Sequence, residues 1–122
     1  PTFIRTIAEG KPLVIYGDGE QTRDFTFVKD VVKANILAAE SDAAGVYNIS
    51  GGKSITINEV ARLILEFTAS KDKLVYQPPR PGDIKHSFAD ITRAASIGYK
   101  PQHKFEIGLK EMTRSLYETY LG

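Results

Sequence analysis

The sequence predicts an α+β domain: about five helices and short strands in pairs, without the doubly wound sheet of a Rossmann unit. Three observations carry that expectation. Apolar residues recur at spacings of three and four in several separate stretches, the mark of helices with one buried face. The extended runs are short and end at Gly or Pro. Strands and helices also fail to alternate regularly along the chain. At 122 residues, 42% hydrophobic and 25% charged, the chain fits one domain over 1–122, with enough apolar material for a core.

Taken in order, Phe3, Ile4 and Ile7 mark a first helix that stops at Gly10-Lys11-Pro12. Leu13-Val14-Ile15-Tyr16 is a short strand ended by the turn Gly17-Asp18-Gly19, and Thr22 to Val28 reads as a second strand facing it. A hairpin or strand pair with its loop across 17–21 is the simplest arrangement. Val31, Val32, Ile36 and Leu37 place a helix over about 29–41. Val46-Tyr47-Asn48-Ile49 follows as a strand, and Ile55 and Ile57 as a brief extended segment. Thr56 and Glu59 form a Thr-x-x-Glu capping box for a helix presenting Val60, Leu63, Ile64 and Phe67. Leu74-Val75-Tyr76 is a strand running into Pro78-Pro79, which cannot continue it. Asp90 is set to cap a short helix closed by Gly98. Phe105, Leu109, Met112, Leu116 and Tyr120 line one face of a last helix, roughly 105–121.

Composition narrows the chemistry. With 16 basic and 15 acidic residues the net charge is +1, so nothing pulls the chain in bulk toward nucleic acid or a membrane. Zero cysteines exclude disulfides and thiolate metal sites; His86 and His103 lie in different segments without metal-ligand spacing, so no metal site is expected. There is no signal peptide and no run of transmembrane length, which makes the cytoplasm the expected compartment. Gly52-Lys53-Ser54 lacks the earlier glycine of a phosphate loop, Tyr47 standing in its place, and reads as a turn. Asp18 and Glu20 are explained by the turn they sit in. None of the tyrosines has a lysine four residues on, and no nucleophile–base–orienter set emerges, so no catalytic residue is expected. The chain opens on Pro1, with a helix starting almost at once, and reads as a piece of something longer.

Two arginine motifs stand out, about sixty residues apart: Gln21-Thr22-Arg23-Asp24-Phe25 and Pro79-Arg80-Pro81-Gly82-Asp83. A guanidinium is a rigid fork of donors that matches phosphate oxygens two at a time. Converging from separate loops, two forks would clamp a diphosphate. The residue types alone also allow a plainer reading, in which Arg23 with Asp24 and Arg80 with Asp83 are surface ion pairs, each contributing under about 1 kcal/mol.

The stretch from Lys11 to Val31 (KPLVIYGDGEQTRDFTFVKDV), Val46-Tyr47-Asn48-Ile49, and Arg80 to Ile91 (RPGDIKHSFADI) resemble the C-terminal, substrate-binding part of the NAD-dependent epimerase/dehydratase family. These are the extended short-chain dehydrogenases of nucleotide sugars, and the resemblance covers essentially the whole chain. It implies that Arg23 and Arg80 grip the sugar-nucleotide diphosphate and that Asp83 accepts from the ribose hydroxyls. It also implies that Leu13, Val14 and Tyr16 form the strand whose backbone reads the base edge and whose aromatic ring packs on the base. The aspartate of Arg80-Pro81-Gly82-Asp83 resembles UDP-sugar epimerases and decarboxylases, where dTDP-glucose dehydratases usually carry histidine. His86-Ser87-Phe88-Ala89-Asp90 is most like the 4-epimerases acting on UDP-glucose or its N-acetylated and acidic relatives. The family's glycine-rich NAD fingerprint and its Tyr-x-x-x-Lys pair belong to an N-terminal Rossmann domain, and none of those motifs occurs here. The resemblance therefore implies a noncatalytic portion that binds no cofactor itself. Its partners would be its own Rossmann domain and a UDP-sugar, with NAD held by the missing domain and a homodimer as the intact enzyme. A UDP-sugar decarboxylase, a nucleotide-sugar dehydratase, or a stand-alone binding module are the alternatives. Lys104 departs from the Ser or Thr that often caps the family's last helix.

Overall fold

The computed structural model describes residues 2–122. In chain order the elements are α1 (Thr2–Ala8), β1 (Leu13–Tyr16), β2 (Thr22–Asp24), α2 (Val28–Ala39), β3 (Ser54–Thr56), α3 (Ile57–Phe67), β4 (Leu74–Gln77), α4 (Thr92–Ala95) and α5 (Phe105–Leu121). The five helices are where the periodicity expects them, and the strands form two two-stranded sheets, with no Rossmann sheet among the described residues.

The pairing itself differs from expectation. β1 and β2 do not form a hairpin. β1 runs parallel to β4, from Leu13 opposite Leu74 to Tyr16 opposite Gln77. β2 runs antiparallel to β3, with Arg23 opposite Ile55. The reason lies in the intervening loop. Gly17 and Gly19 take φ of +86° and +76°, open to glycine at little cost, and turn the chain onto the start of α3. There Gly19 and Gln21 carbonyls accept from the Asn58 and Ile57 N–H groups at 3.0 and 3.1 Å. The buried Gln21 side chain donates to the Tyr16 carbonyl at 2.8 Å, occupying a group that a hairpin ladder would have needed. β2 ends at Asp24 because β3 offers only three residues to pair with, and Phe25 to Phe27 continue without a ladder into α2.

Residues 46–49 form no strand either. Val46 is 80% exposed, and the segment is pinned by side chains instead: Asn48 donates to the Asp90 carbonyl and the Tyr99 hydroxyl to the Ser50 carbonyl. An apolar run becomes a strand only when another strand is in reach, and here none is. Ile57, expected to be extended, opens α3.

The main core joins Ile4 and Ile7 of α1, Leu13 and Ile15 of β1, Ile55 of β3, Val60, Ala61, Leu63 and Ile64 of α3, and Leu109 of α5. Each large aliphatic side chain buried there contributes about 1.5–3 kcal/mol. Thr56 caps α3 by accepting from the Glu59 N–H at 3.1 Å. α5 has the expected bounds and buries Leu109, but Met112 and Tyr120 stay substantially exposed, while Gly108 and Thr113 take the inner face. Gly108 is required there: a Cβ would stand 2.9 Å from the Phe27 ring. Asp90 accepts from the Thr92 N–H at 2.9 Å ahead of α4, while Ile91 occupies the cap position itself. A second, smaller cluster packs Ala34, Ala94 and Tyr99 with Leu37, Tyr47, Ile49 and Ile91.

Asp30, almost completely buried on α2, ties that helix to the segment before α5. Its carboxylate accepts from the Gln102 and His103 N–H groups at 3.2 Å each and lies 2.7 Å from His103 Nδ1. Burial pushes its carboxyl up, but the His103 ring and the two backbone donors outweigh that and hold it below the usual carboxylate range.

Candidate functional site

The parallel pairing of β1 with β4 brings the two arginine motifs together. It makes both strands end on the same side, with the Gly17 N–H on the Gln77 carbonyl at 2.8 Å. After Pro78-Pro79 the chain turns through Arg80-Pro81-Gly82-Asp83, closed by the Asp83 N–H on the Arg80 carbonyl at 3.2 Å. Proline second, and glycine third with φ +78°, make this a type II turn. Residues 85–87 then run alongside β2: the Thr22 N–H donates to the Lys85 carbonyl and the Ser87 N–H to the Thr22 carbonyl.

At this junction lies an open cavity of about 560 Å³, lined by Tyr16, Asp18, Gln21, Arg80, Asp83 and Lys85 among others. A larger hollow of about 840 Å³ runs along one face of α5. It gathers side chains from that single helix, whereas the smaller cavity collects charged, polar and aromatic groups from two distant stretches, 16–21 and 77–85, which makes it the candidate binding site.

Of the six residues singled out in the sequence, Tyr16, Arg80 and Asp83 line the cavity. The Arg80 guanidinium lies 3.9 Å above the centre of the Tyr16 ring, a cation–π contact, and has no carboxylate partner among the described residues. Arg23 stands beside the cavity: it donates to the Thr22 carbonyl and to Asp83, both at 2.8 Å. Thus neither ion pair allowed by sequence proximity forms, since Asp83 goes to Arg23 and Asp24 pairs with no arginine among the described residues. The Leu13 side chain is fully buried in the core and Val14 is half-buried, so neither side chain is offered to the cavity. The Leu13 and Gly17 N–H groups bond toward β4, so strand alternation directs the Val14 and Tyr16 backbone groups to the opposite edge.

Lys85 and Gln21 also line the cavity, although the sequence reading gave neither of them a role. Lys85 reaches both Asp18 oxygens at 2.8 and 2.7 Å, and this contact, with the Glu20 N–H, holds the Asp18 carboxyl below its ordinary range. A faint signal existed: in an extended segment Lys85, two positions after Asp83, points to the same side. Asn58 had none. It donates to the Asp18 carbonyl and Glu20 and accepts from the Tyr76 hydroxyl. The arrangement can recognise an anion with a flat group attached: cationic donors, a carboxylate acceptor and an aromatic face.

The chain matches the family described as GDP-mannose 4,6 dehydratase over residues 1–112. It is 48% identical to the UDP-N-acetylglucosamine 4-epimerase of Methanobrevibacter ruminantium, solved with UDP-N-acetylmuramic acid. That match has a TM-score of 0.88 and covers 96% of this chain and 38% of that one. The UDP-glucose 4-epimerase of Thermotoga maritima, solved with UDP-glucose, is 38% identical with a TM-score of 0.89, over 97% of this chain and 38% of that one. The UDP-glucuronic acid 4-epimerase of Bacillus cereus, solved with UDP-glucuronic acid and NAD, is 30% identical with a TM-score of 0.82, over 94% and 39%. Curated relatives include the UDP-glucuronate 4-epimerase of Thermodesulfobacterium geofontis, 34% identical over 88% of this chain and 34% of that protein. A UDP-N-acetyl-alpha-D-glucosaminuronate decarboxylase of Bacillus cytotoxicus is 36% identical over 91% and 37%, and a dTDP-glucose 4,6-dehydratase of Haemophilus influenzae 34% identical over 93% and 38%. The chain spans about a third of the length of the curated relatives it matches, between 31% and 36% for the first three. With this fold and these matches, the chain belongs to the NAD-dependent epimerase/dehydratase family, close to its UDP-sugar 4-epimerases.

Proposed function

We propose that this chain is the C-terminal, substrate-binding portion of an NAD-dependent UDP-sugar 4-epimerase, of the UDP-glucose type, and that it grips the nucleotide diphosphate. The observation that carries the reading is the meeting of Arg80, Tyr16, Asp83 and Arg23 at the common end of β1 and β4. Arg80 and Arg23 take the phosphates, Asp83 the ribose hydroxyls, and Tyr16 with the outward backbone edge of Leu13–Tyr16 the base. Charge-assisted bonds would then hold the handle, while an apolar face and a few backbone groups set base preference. UDP as that handle is supported by the relatives solved with UDP-sugars.

In this reading the chain itself does not hold NAD. Gly17-x-Gly19 follows a strand, as in a dinucleotide fingerprint, but leads into β2 and not into a helix, so no helix N-terminus receives a pyrophosphate. In this reading NAD and the bond-making residues lie outside the chain, which holds and orients substrate. A second reading, decarboxylation or dehydration of a nucleotide sugar, is favoured by the relatives with those activities and leaves the same grip in place.

The test is titration of the full-length natural protein with UDP and with dTDP, in wild type, Arg23→Ala and Arg80→Ala. Each substitution is expected to weaken UDP binding by about 2–3 kcal/mol, or roughly 30- to 150-fold. Wild-type affinity in both variants refutes the clamp, and tighter binding of dTDP refutes the UDP handle.

A further inference from the structure

We infer that Lys85 is a third phosphate-binding cation, and that the Asp18 carboxylate is its counter-charge in the ligand-free pocket, released when the anion arrives. The inference rests on the reading of the cavity as a diphosphate site and adds to it a contact and an exchange.

Three cations surround the junction, and they are not equivalent. Arg80 stacks on Tyr16 and pairs with no carboxylate among the described residues, Arg23 is held by Asp83, and Lys85 by Asp18. Lys85 and Asp18 both line the cavity beside Arg80, with side chains 53% and 61% exposed. An ion pair so exposed is weak, so an incoming phosphate oxygen of higher charge competes well for the ammonium. The backbone favours such a move. The Lys85 carbonyl accepts from the Thr22 N–H at 2.8 Å, which roots the residue beside β2 and leaves the four-carbon stem to swing the charge.

Release strands nothing. Asp18 Oδ1 also accepts from the Glu20 N–H at 2.9 Å, and the carboxylate is exposed to water. The loop keeps its place without Lys85, because Asn58 donates to the Asp18 carbonyl through its side chain and to the Gly19 carbonyl through its N–H. With Arg23, Arg80 and Lys85 set against Asp18 and Asp83, these five side chains carry a surplus of one positive charge. A neutral nucleoside cannot displace Asp18, whereas a diphosphate can. The exchange therefore selects for the phosphates and leaves the base to Tyr16.

The experiment is titration of the full-length natural protein with UDP and separately with uridine, in wild type, Lys85→Ala, Asp18→Asn and Arg80→Ala. Lys85→Ala is expected to weaken UDP about tenfold, with uridine unchanged. Asp18→Asn keeps an oxygen for the Glu20 N–H but frees the ammonium, and is expected to tighten UDP about threefold. Lys85→Gln keeps the stem, and should weaken UDP as alanine does if charge is the cause. Any Asp18→Asn result other than tighter UDP binding overturns the exchange, and unchanged UDP affinity in Lys85→Ala overturns the contact. If Arg80→Ala loses UDP while the Lys85 and Asp18 variants match wild type, only this inference fails. If Arg80→Ala, and Arg23→Ala in the preceding titration, also bind UDP normally, the diphosphate site fails with it.

Discussion

Replacing Asp30 with Asn removes one buried negative charge and leaves the side-chain outline almost unchanged. The carboxylate meets three donors: two backbone N–H groups at 3.2 Å and the His103 ring nitrogen at 2.7 Å. Asparagine keeps one acceptor oxygen and turns an NH2 toward the remaining donors, so at least one buried N–H is left facing another. Hydrogen bonds to a charged acceptor contribute about 1.5–3 kcal/mol each, and breaking a buried pair costs about 3–5. Because His103 is 26% exposed and one acceptor survives, about 2–3 kcal/mol is expected here. At roughly 2.1 cal/mol/K per residue of unfolding entropy, that lowers Tm by about 8–12 °C, read by thermal melting followed by circular dichroism. The pH dependence has a definite sign. The folded carboxyl titrates below its unfolded value of about 3.9, so its contribution is complete above that pH and disappears as pH falls through the folded value. The gap between wild type and variant should be present above about pH 4 and close as pH falls below it. A Tm within about 2 °C of wild type at pH 7, or a gap that widens as pH falls below about 4, would refute the account of Asp30 as the tie between α2 and the segment before α5.

Substitutions at two further positions probe the frame and the site. Gly51→Ala would put a Cβ 2.3 Å from the Phe25 carbonyl oxygen, a backbone atom with nowhere to rotate. A loss of about 2 kcal/mol or more in denaturant unfolding is expected, and an unchanged midpoint would show that the 51–52 turn yields freely. Tyr16→Leu removes the ring beneath Arg80 and should weaken UDP about fivefold in the titration above, whereas Tyr16→Phe keeps the ring and should bind as wild type does. An equal loss in both variants would move the contribution from the ring face to the hydroxyl.

The helices were legible because each depends on residues three and four positions apart. Leu109 and its neighbours gave α5 the bounds observed, and Thr56 capped α3 by a contact within one turn. Turn chemistry was as local: Pro81 and Gly82 carry the dihedral preferences of the turn that presents Arg80 and Asp83. The long motifs around Arg23 and Arg80 also sufficed to place the chain in its family. Strand partners were not legible. β1 and β4 pair across some sixty residues, β2 and β3 across about thirty, and a period of two reveals which face a strand buries but not which strand lies beside it. For the same reason spacing suggested Arg23 with Asp24 and Arg80 with Asp83, while the parallel pairing of β1 with β4 hands Asp83 to Arg23 and leaves Arg80 over Tyr16. Residue types and short-range order by themselves determined the helices, the turns and the chemistry on offer. Only the tertiary structure decided which charges meet, because a charge pair forms where distant segments converge.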